Sequence, residues 1–407
     1  MKRFKEAVAS LALLSAIAMT PGLSLAEGHY DVGASDTEIK IGNVAPYSGP
    51  AAGIGTSAKM NAAYFQMINE KGGVNGRKIT FISYDDAYNP AKSVEQVRKL
   101  VEGDEVLAVF QPVGTATNTA IQKYLNQKKV PQLFAISGAA KFYNHQDFPW
   151  TIGWTPTYQG EGRLYAKHIL ESKPDGKIAV LYQNDDLGKE YLKGLKEGLG
   201  DKASMIVAEQ PYELSDPTVQ SRIVDLKASG ADVFVNAATP KFAAQAIRNA
   251  AELNWKPLHI LSTVSHSVGA TLKQAGLENS KGIITSAFDK DYGDTRWDND
   301  PGMKEFSDFM DKYMPGADKF DGGYRNGYTV SKALIHVLEQ CGDDLTRENV
   351  MRQAASLKDF QVGTMLPGVK ANTSADDFYP LEQMQLLVFN GAEWEPIGDV
   401  VDIPRQK

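Results

Sequence analysis

The sequence predicts an α/β fold of two doubly wound, Rossmann-like lobes. Three observations lead there. Short, nearly continuous apolar runs alternate with amphipathic helical segments, the pattern of parallel strands covered on both faces. The rhythm breaks and restarts near residue 155. The strands are also too many for one comfortable sheet, so the ligand cleft belongs between two of them.

The elements follow in order. EIKIGNVA (38–45) alternates as a strand does. Met60, Ala63, Tyr64, Met67 and Ile68 share one helical face, which Gly72-Gly73 terminates. KITFIS (78–83) is a second strand, and Asn89-Pro90 opens a helix with Val94, Val97, Leu100 and Val101 inward. VLAVF (106–110), a helix at 118–126 and QLFAI (132–136) complete the first series. The second series runs helix 159–172, KIAVLY (177–182), helix 188–199, MIVAEQ (205–210), helix 217–228, DVFVNA (232–237), helix 241–253, LHIL (258–261) and GIITSAF (282–288). Residues 289–325 read as loops around one helix at 301–313, followed by helices at 323–340 and 345–357. QMQLLVFNGAEWEPIG (384–399) reads as a hairpin turning at Asn390-Gly391.

Composition narrows the function. The chain has 407 residues, 43% hydrophobic and 23% charged, which excludes a disordered tail, a fibrous repeat and a polytopic membrane protein. Its 43 basic and 50 acidic residues give −7, and no Lys/Arg run exceeds two, so a nucleic-acid partner is not expected.

The first 26 residues read as a cleavable signal peptide. Lys2, Arg3 and Lys5 form a basic head, Ala7–Met19 is apolar but too short to span a bilayer, and Ser24-Leu25-Ala26 ends it. Its four charged residues carry a net +2, so the remaining 381 residues carry −9. Glu27, not Cys, follows the cleavage site, so no lipid anchor is expected, and the mature protein is placed free in the periplasm. Cys341 is the only cysteine, so the two lobes are held by apolar burial without an internal disulfide.

Enzyme chemistry finds little support. The six histidines form no HxxxH, HExxH or Cys/His cluster, and neither GxxxxGK[ST] nor GxSxG occurs. Cys341 reads as a packed thiol, and Asp85-Asp86, Asp185-Asp186, Asp343-Asp344 and Asp376-Asp377 as solvated or helix-capping acids. No cofactor or metal is implied.

Polar loops at the carboxyl ends of the strands remain, where open α/β sheets bind ligands. They are Tyr47–Pro50, Gly114–Asn118, Ser137–Ala140, Tyr182–Asp186 and Ala237–Thr239. Each opens a helix, and free N–H groups there, with nearby hydroxyls, favour an anion such as a carboxylate.

The runs IKIGNVAPYSGPAAGIG and NEKGGVNGRKITFISYDDAYNP, with QNDDLGKEY and IRNAAELNWKP further on, resemble the periplasmic leucine/isoleucine/valine-binding protein family, solute-binding subunits of ABC importers. The resemblance covers nearly the whole mature chain. It implies the type I periplasmic binding fold, with a three-crossover hinge between lobe one (36–153 plus 289–364) and lobe two (154–288 plus 365–407). It implies no catalysis, an inner-membrane ABC permease as partner, and a monomer. It places the carboxylate grip at Gly114, Thr115 and Thr117 and at Ser137, Gly138 and Ala139. Ala139, Leu187 and Thr239 depart from the family's Thr and aromatic positions, and Val264 stands where amino-acid binders place a Glu for the α-ammonium. A buried ammonium without an anion is costly. The expectation is therefore a carboxylate solute without an α-amino group, in a slot lined by Tyr47, Tyr158, Tyr182, Phe288 and Tyr324. The competing reading is an amino acid whose ammonium meets Asp289, Asp185 or another acid. A receptor feeding a signalling partner, and a secreted α/β enzyme, are the alternative functions.

Overall fold

A computed structural model describes residues 28–403; the leader assigned to residues 1–26 lies outside them. The strands of the first half are His29–Tyr30 (β1), Glu38–Ala45 (β2), Lys78–Asp85 (β3), Ala108–Phe110 (β4), Gln132–Ala135 (β5) and Thr151–Gly153 (β6). Those of the second are Ile178–Gln183 (β7), Ile206–Tyr212 (β8), Val233–Ala237 (β9), Leu258–Leu261 (β10), Ile284–Ala287 (β11), Asp344–Leu345 (β12), Gln383–Phe389 (β13) and Trp394–Asp402 (β14).

They make two sheets, one per lobe. The first, ordered β3-β2-β4-β5-β6, is parallel throughout. The second, ordered β14-β13-β11-β10-β9-β7-β8, is parallel from β8 to β11 and closes with antiparallel β13 and β14. Both its edges carry a proline, Pro211 in β8 and Pro396 in β14, where a missing N–H disrupts no ladder and discourages further pairing. β1 and β12 form a separate parallel pair.

Side-chain alternation fixes what each face meets. Ile39 and Ile41 of β2 join the cluster of Met60, Tyr64 and Phe65, whereas Val44 packs with Val97, Leu100, Ile121 and Leu125. Ile178 and Val180 of β7 face Tyr191 and Leu195, while Ala179 and Leu181 face Ile223 and Ile247. Each fully buried side chain of this size contributes about 1.5–3 kcal/mol over its exposed state.

The chain passes between the lobes three times. It leaves the first sheet after β6 and builds β7–β11. It then returns to lay the helix Gly322–Cys341 against the helix Thr56–Glu70, where Asn61 Nδ2 donates to Ser331 Oγ at 2.9 Å. It goes back once more to form β13 and β14. All three passages border the same gap: Thr155-Pro156 and Phe288-Asp289 line it, and Asp289 bridges to Met365. Among the described residues, no helix is long and apolar enough to cross a membrane.

Candidate functional site

A cavity of about 140 Å³ lies between the two lobes. The first lobe contributes Ile54, Ser57, Tyr88, Val113, Gly114, Thr115 and Ile136. The second contributes Tyr158, Glu161, Leu187, Tyr191, Thr239, Thr263, Val264 and His266. The passages between lobes add Thr155, Phe288 and Asp289, and the start of the helix Gly322–Cys341 adds Asp321 to Gly323 and Asn326. Most of the wall is apolar.

The first-lobe wall is built by an unusual loop. Asp85 Oδ1 accepts from the N–H groups of Tyr47 and Ala87, and Asp86 Oδ1 accepts from that of Tyr88, at 2.9–3.0 Å. Burial alone would raise the Asp85 carboxyl; donors from Ser48, Ala87, Lys92 and Tyr47 outweigh it and hold the group well below its ordinary range. These bonds hold Ala87 and Tyr88 in left-handed conformation, φ 51° and 58°. Tyr88 is thereby laid over Gly114, where φ is +104° and a Cβ would sit 2.4 Å from the Tyr88 ring. Only glycine fits there. The Tyr88 hydroxyl accepts from Thr115 N at 3.2 Å. Across the cavity the Tyr212 hydroxyl likewise accepts from Thr239 N at 2.9 Å. Two helix starts expected to greet an anion thus each have a donor taken by a tyrosine.

Thr115 Oγ1 meets Ser137 Oγ at 2.8 Å and the Tyr158 hydroxyl at 3.2 Å. This hydroxyl chain joins the lobes at the cavity edge. On the second-lobe side, Glu161 sits on the inward face of the helix Tyr158–Ser172 and is fully buried. It accepts from Thr263 N at 2.7 Å and from the hydroxyls of Tyr165 and Tyr191 at 2.5 and 2.6 Å. Burial raises its carboxyl above the ordinary value, and those donors pull it part of the way back. Tyr191 reaches Glu161 because Gly194 lets its helix approach closely; a Cβ there would sit 2.1 Å from the Gln159 carbonyl oxygen.

Behind the far wall, Arg325 is fully buried between two acids. Its Nε donates to Asp289 Oδ2 and its Nη1 to Asp291 Oδ1, both at 2.7 Å. Burial raises the Asp291 carboxyl, opposed by the adjacent guanidinium. Burial also raises Asp321, whose Oδ1 caps Gly323 N at 2.9 Å. Among the described residues, Glu161, Asp289 and Asp321 line the cavity and no lysine or arginine does, Arg325 pairing with Asp289 from behind the wall; no group of three or more His, Cys, Asp or Glu is placed to hold a metal.

Of the residues picked from the sequence, Gly114, Thr115, Tyr158, Thr239, Val264 and Phe288 line the cavity. Ser137 stands one layer back, bonded to Thr115, and Ala139 N donates to its hydroxyl. The Gly138 carbonyl receives Tyr158 N at 2.9 Å. Thr117 turns its hydroxyl to the Val113 carbonyl, Tyr47 bonds Ser83, and Tyr182 packs into the second-lobe core. Sequence reasoning passed over Tyr88, Glu161, Tyr191, His266 and Asp321 as cavity residues. One signal was available: Glu161 falls with Tyr158 and Tyr165 on the face that is otherwise apolar.

A family model described as Periplasmic binding protein matches residues 38–392. The chain belongs to the periplasmic binding protein family. Its fold is the type I periplasmic binding fold, with two lobes and parallel sheets. A Leu/Ile/Val-binding protein homologue (homolog 7) of Brucella abortus is 25% identical over 359 residues, spanning 85% of this chain and 88% of the relative. A branched-chain amino acid ABC transporter protein of Thermus thermophilus with bound valine superposes at TM-score 0.82, with 15% identity, over 91% of this chain and 97% of that one. A solute-binding protein of R. palustris in complex with benzoate superposes at 0.74, with 18% identity, over 90% and 98%. These two structures share the fold of this binding protein, with its two lobes and parallel sheets.

Proposed function

We propose that the protein captures one small solute in the interlobe cavity, by closure of the lobes, and presents it unaltered to an inner-membrane ABC permease. The cavity walled by both lobes carries this reading: a solute there touches both halves, so it binds the closed arrangement better than the open one and shifts the population toward it. The three passages of chain serve as the hinge. The protein acts as a periplasmic monomer delivered by its N-terminal leader.

The volume supports a solute of modest size, since a cavity of roughly 150 Å³ accommodates a benzene ring. The unpartnered hydroxyls of Ser57 and Thr155, with those of Thr115 and Tyr158, are donors available to a carboxylate. The wall supports an acid that also carries a positive charge over a bare anion, because three carboxylates line it, no lysine or arginine does, and Arg325 is shared between Asp289 and Asp291. An amino-acid-like solute is accordingly favoured over the des-amino acid expected from Val264. The structural relatives, with valine in one and benzoate in another, are compatible with either.

Native mass spectrometry of freshly purified protein, with calorimetric titration of L-leucine and benzoate, tests this. One molecule bound per chain, recovered unchanged, with a smaller radius of gyration in solution, is the expected result. Chemical conversion of the solute, or an unchanged radius on saturation, overturns it.

A further inference from the structure

The cavity wall contains a carboxylate oxygen with nothing to accept from. Asp289 follows directly on Phe288, lines the cavity and is 4% exposed. Its Oδ2 is held by Arg325 Nε at 2.7 Å, while its Oδ1 has no hydrogen-bond partner. His266 Nε2 lies 3.7 Å from Oδ1, beyond hydrogen-bond distance. The Nδ1 of that ring faces the Thr263 carbonyl at 2.6 Å and must carry the proton. Its Nε2 faces Arg325 Nη2 at 3.5 Å. The other lining acids differ. Both Glu161 oxygens are occupied, and Asp321 caps a helix.

We infer that Asp289 Oδ1 receives a primary ammonium group of the solute. This rests on the reading of the cavity as a solute site and assigns the solute's cationic end within it. A buried anionic acceptor without a donor is rare in folded proteins and marks a position completed by something else. The surrounding charge selects what completes it. Arg325 is shared with Asp291, leaving the buried group of two acids and one guanidinium net negative. A cation restores neutrality, whereas a second anion would face an unpaired carboxylate. Ser57 Oγ and Thr155 Oγ1 also line the cavity without partners and offer neutral contacts to the same solute.

The test is a calorimetric and thermal-shift panel on the full-length mature protein. One set is L-leucine, L-valine and L-phenylalanine. The second is the acids lacking the amino group, isocaproate, isovalerate and hydrocinnamate. The third is the amines lacking the carboxylate, isoamylamine, isobutylamine and phenethylamine. Wild-type protein is expected to bind a member of an amine-bearing set at least about 30-fold more tightly than its des-amino partner, the range for removing one member of a buried charge pair. D289N is expected to lose that preference. D291N, which disturbs the same guanidinium from outside the cavity, is expected to keep it. Should D289N fail to fold, D289S takes its place in the panel with the same expected loss of preference. Equal or tighter binding of the des-amino acids, or unchanged affinity in folded D289N, overturns the role of Asp289 while leaving the receptor intact. Binding of no member by wild-type protein overturns the role and counts against the proposed solute as well.

Discussion

Closure has a contact that can be removed without touching the cavity. The Ala140 N–H, in the loop after β5, donates to Glu190 Oε2 at 2.9 Å across the gap between lobes. Beside it, Lys141 pairs with Asp186 at 2.5 Å, with both side chains about a third or more exposed. Neither pairing survives separation of the lobes. A hydrogen bond to a charged group contributes about 1.5–3 kcal/mol. Glu190 is only partly buried, so about 1–2 kcal/mol is the usable figure, and the exposed ion pair adds about 0–1 kcal/mol. At 1.4 kcal/mol per tenfold, Glu190→Ala should weaken solute binding about 5- to 30-fold if the free protein is mainly open. If it is mainly closed, the loss is smaller and the free protein expands instead. Titration calorimetry gives the affinity, and a spin-label pair, one label on each lobe, gives the distance. Wild-type affinity together with a wild-type distance distribution in Glu190→Ala would refute the reasoning, since the contact would then contribute nothing to the closed state.

Three further outcomes are expected. Gly114→Ala places a Cβ 2.4 Å from Tyr88 at φ +104°, so backbone strain of about 1–3 kcal/mol and a similar overpacking cost should appear in urea unfolding, with weaker solute binding. Arg325→Ala leaves Asp289 and Asp291 buried without their cation and should cost about 3–5 kcal/mol by the same measurement. The Glu161 carboxyl is raised by burial above 4.5, its ordinary value, so the native state holds its proton to higher pH than the unfolded chain does. Its contribution to stability is therefore full below that value and declines as pH rises through the native pKa. The stability of wild type relative to Glu161→Gln should fall across that window, which unfolding at a series of pH values checks.

Most of the fold was readable because each lobe repeats one physical pattern. Buried strands such as Val233–Ala237 are apolar throughout, and helices such as Pro240–Glu252 are apolar on one side. β6 escaped notice because Thr151, Ile152 and Gly153 are too few to show a period. The cavity was less readable, for three different reasons. Ala87 and Tyr88 take positive φ in a loop without glycine, so nothing in DDAYNP announces that the Tyr88 ring turns inward. Glu161 and Arg325 are charged groups on inward helix faces, where periodicity predicts a packed side chain and says nothing of its partners. Tyr47 and Tyr182 lie near the correct strand ends, but whether an aromatic ring enters the gap depends on neighbours distant in the chain. Ser83 and the second-lobe core claim these two.

The helix Gly322–Cys341 covers a face made some 270 residues earlier, as the Asn61–Ser331 hydrogen bond records. Synthesis runs from the amino end, so the first sheet is finished long before its lid exists. Until then Tyr64 lacks Phe309 and Tyr328, the rings it packs against, and a chain ending at Gly153 would leave it without them permanently. Half-molecules obtained by a single cut should aggregate, and assembly of the N-terminal half must wait for nearly the last fifth of the polypeptide, a long-range docking expected to make folding slow.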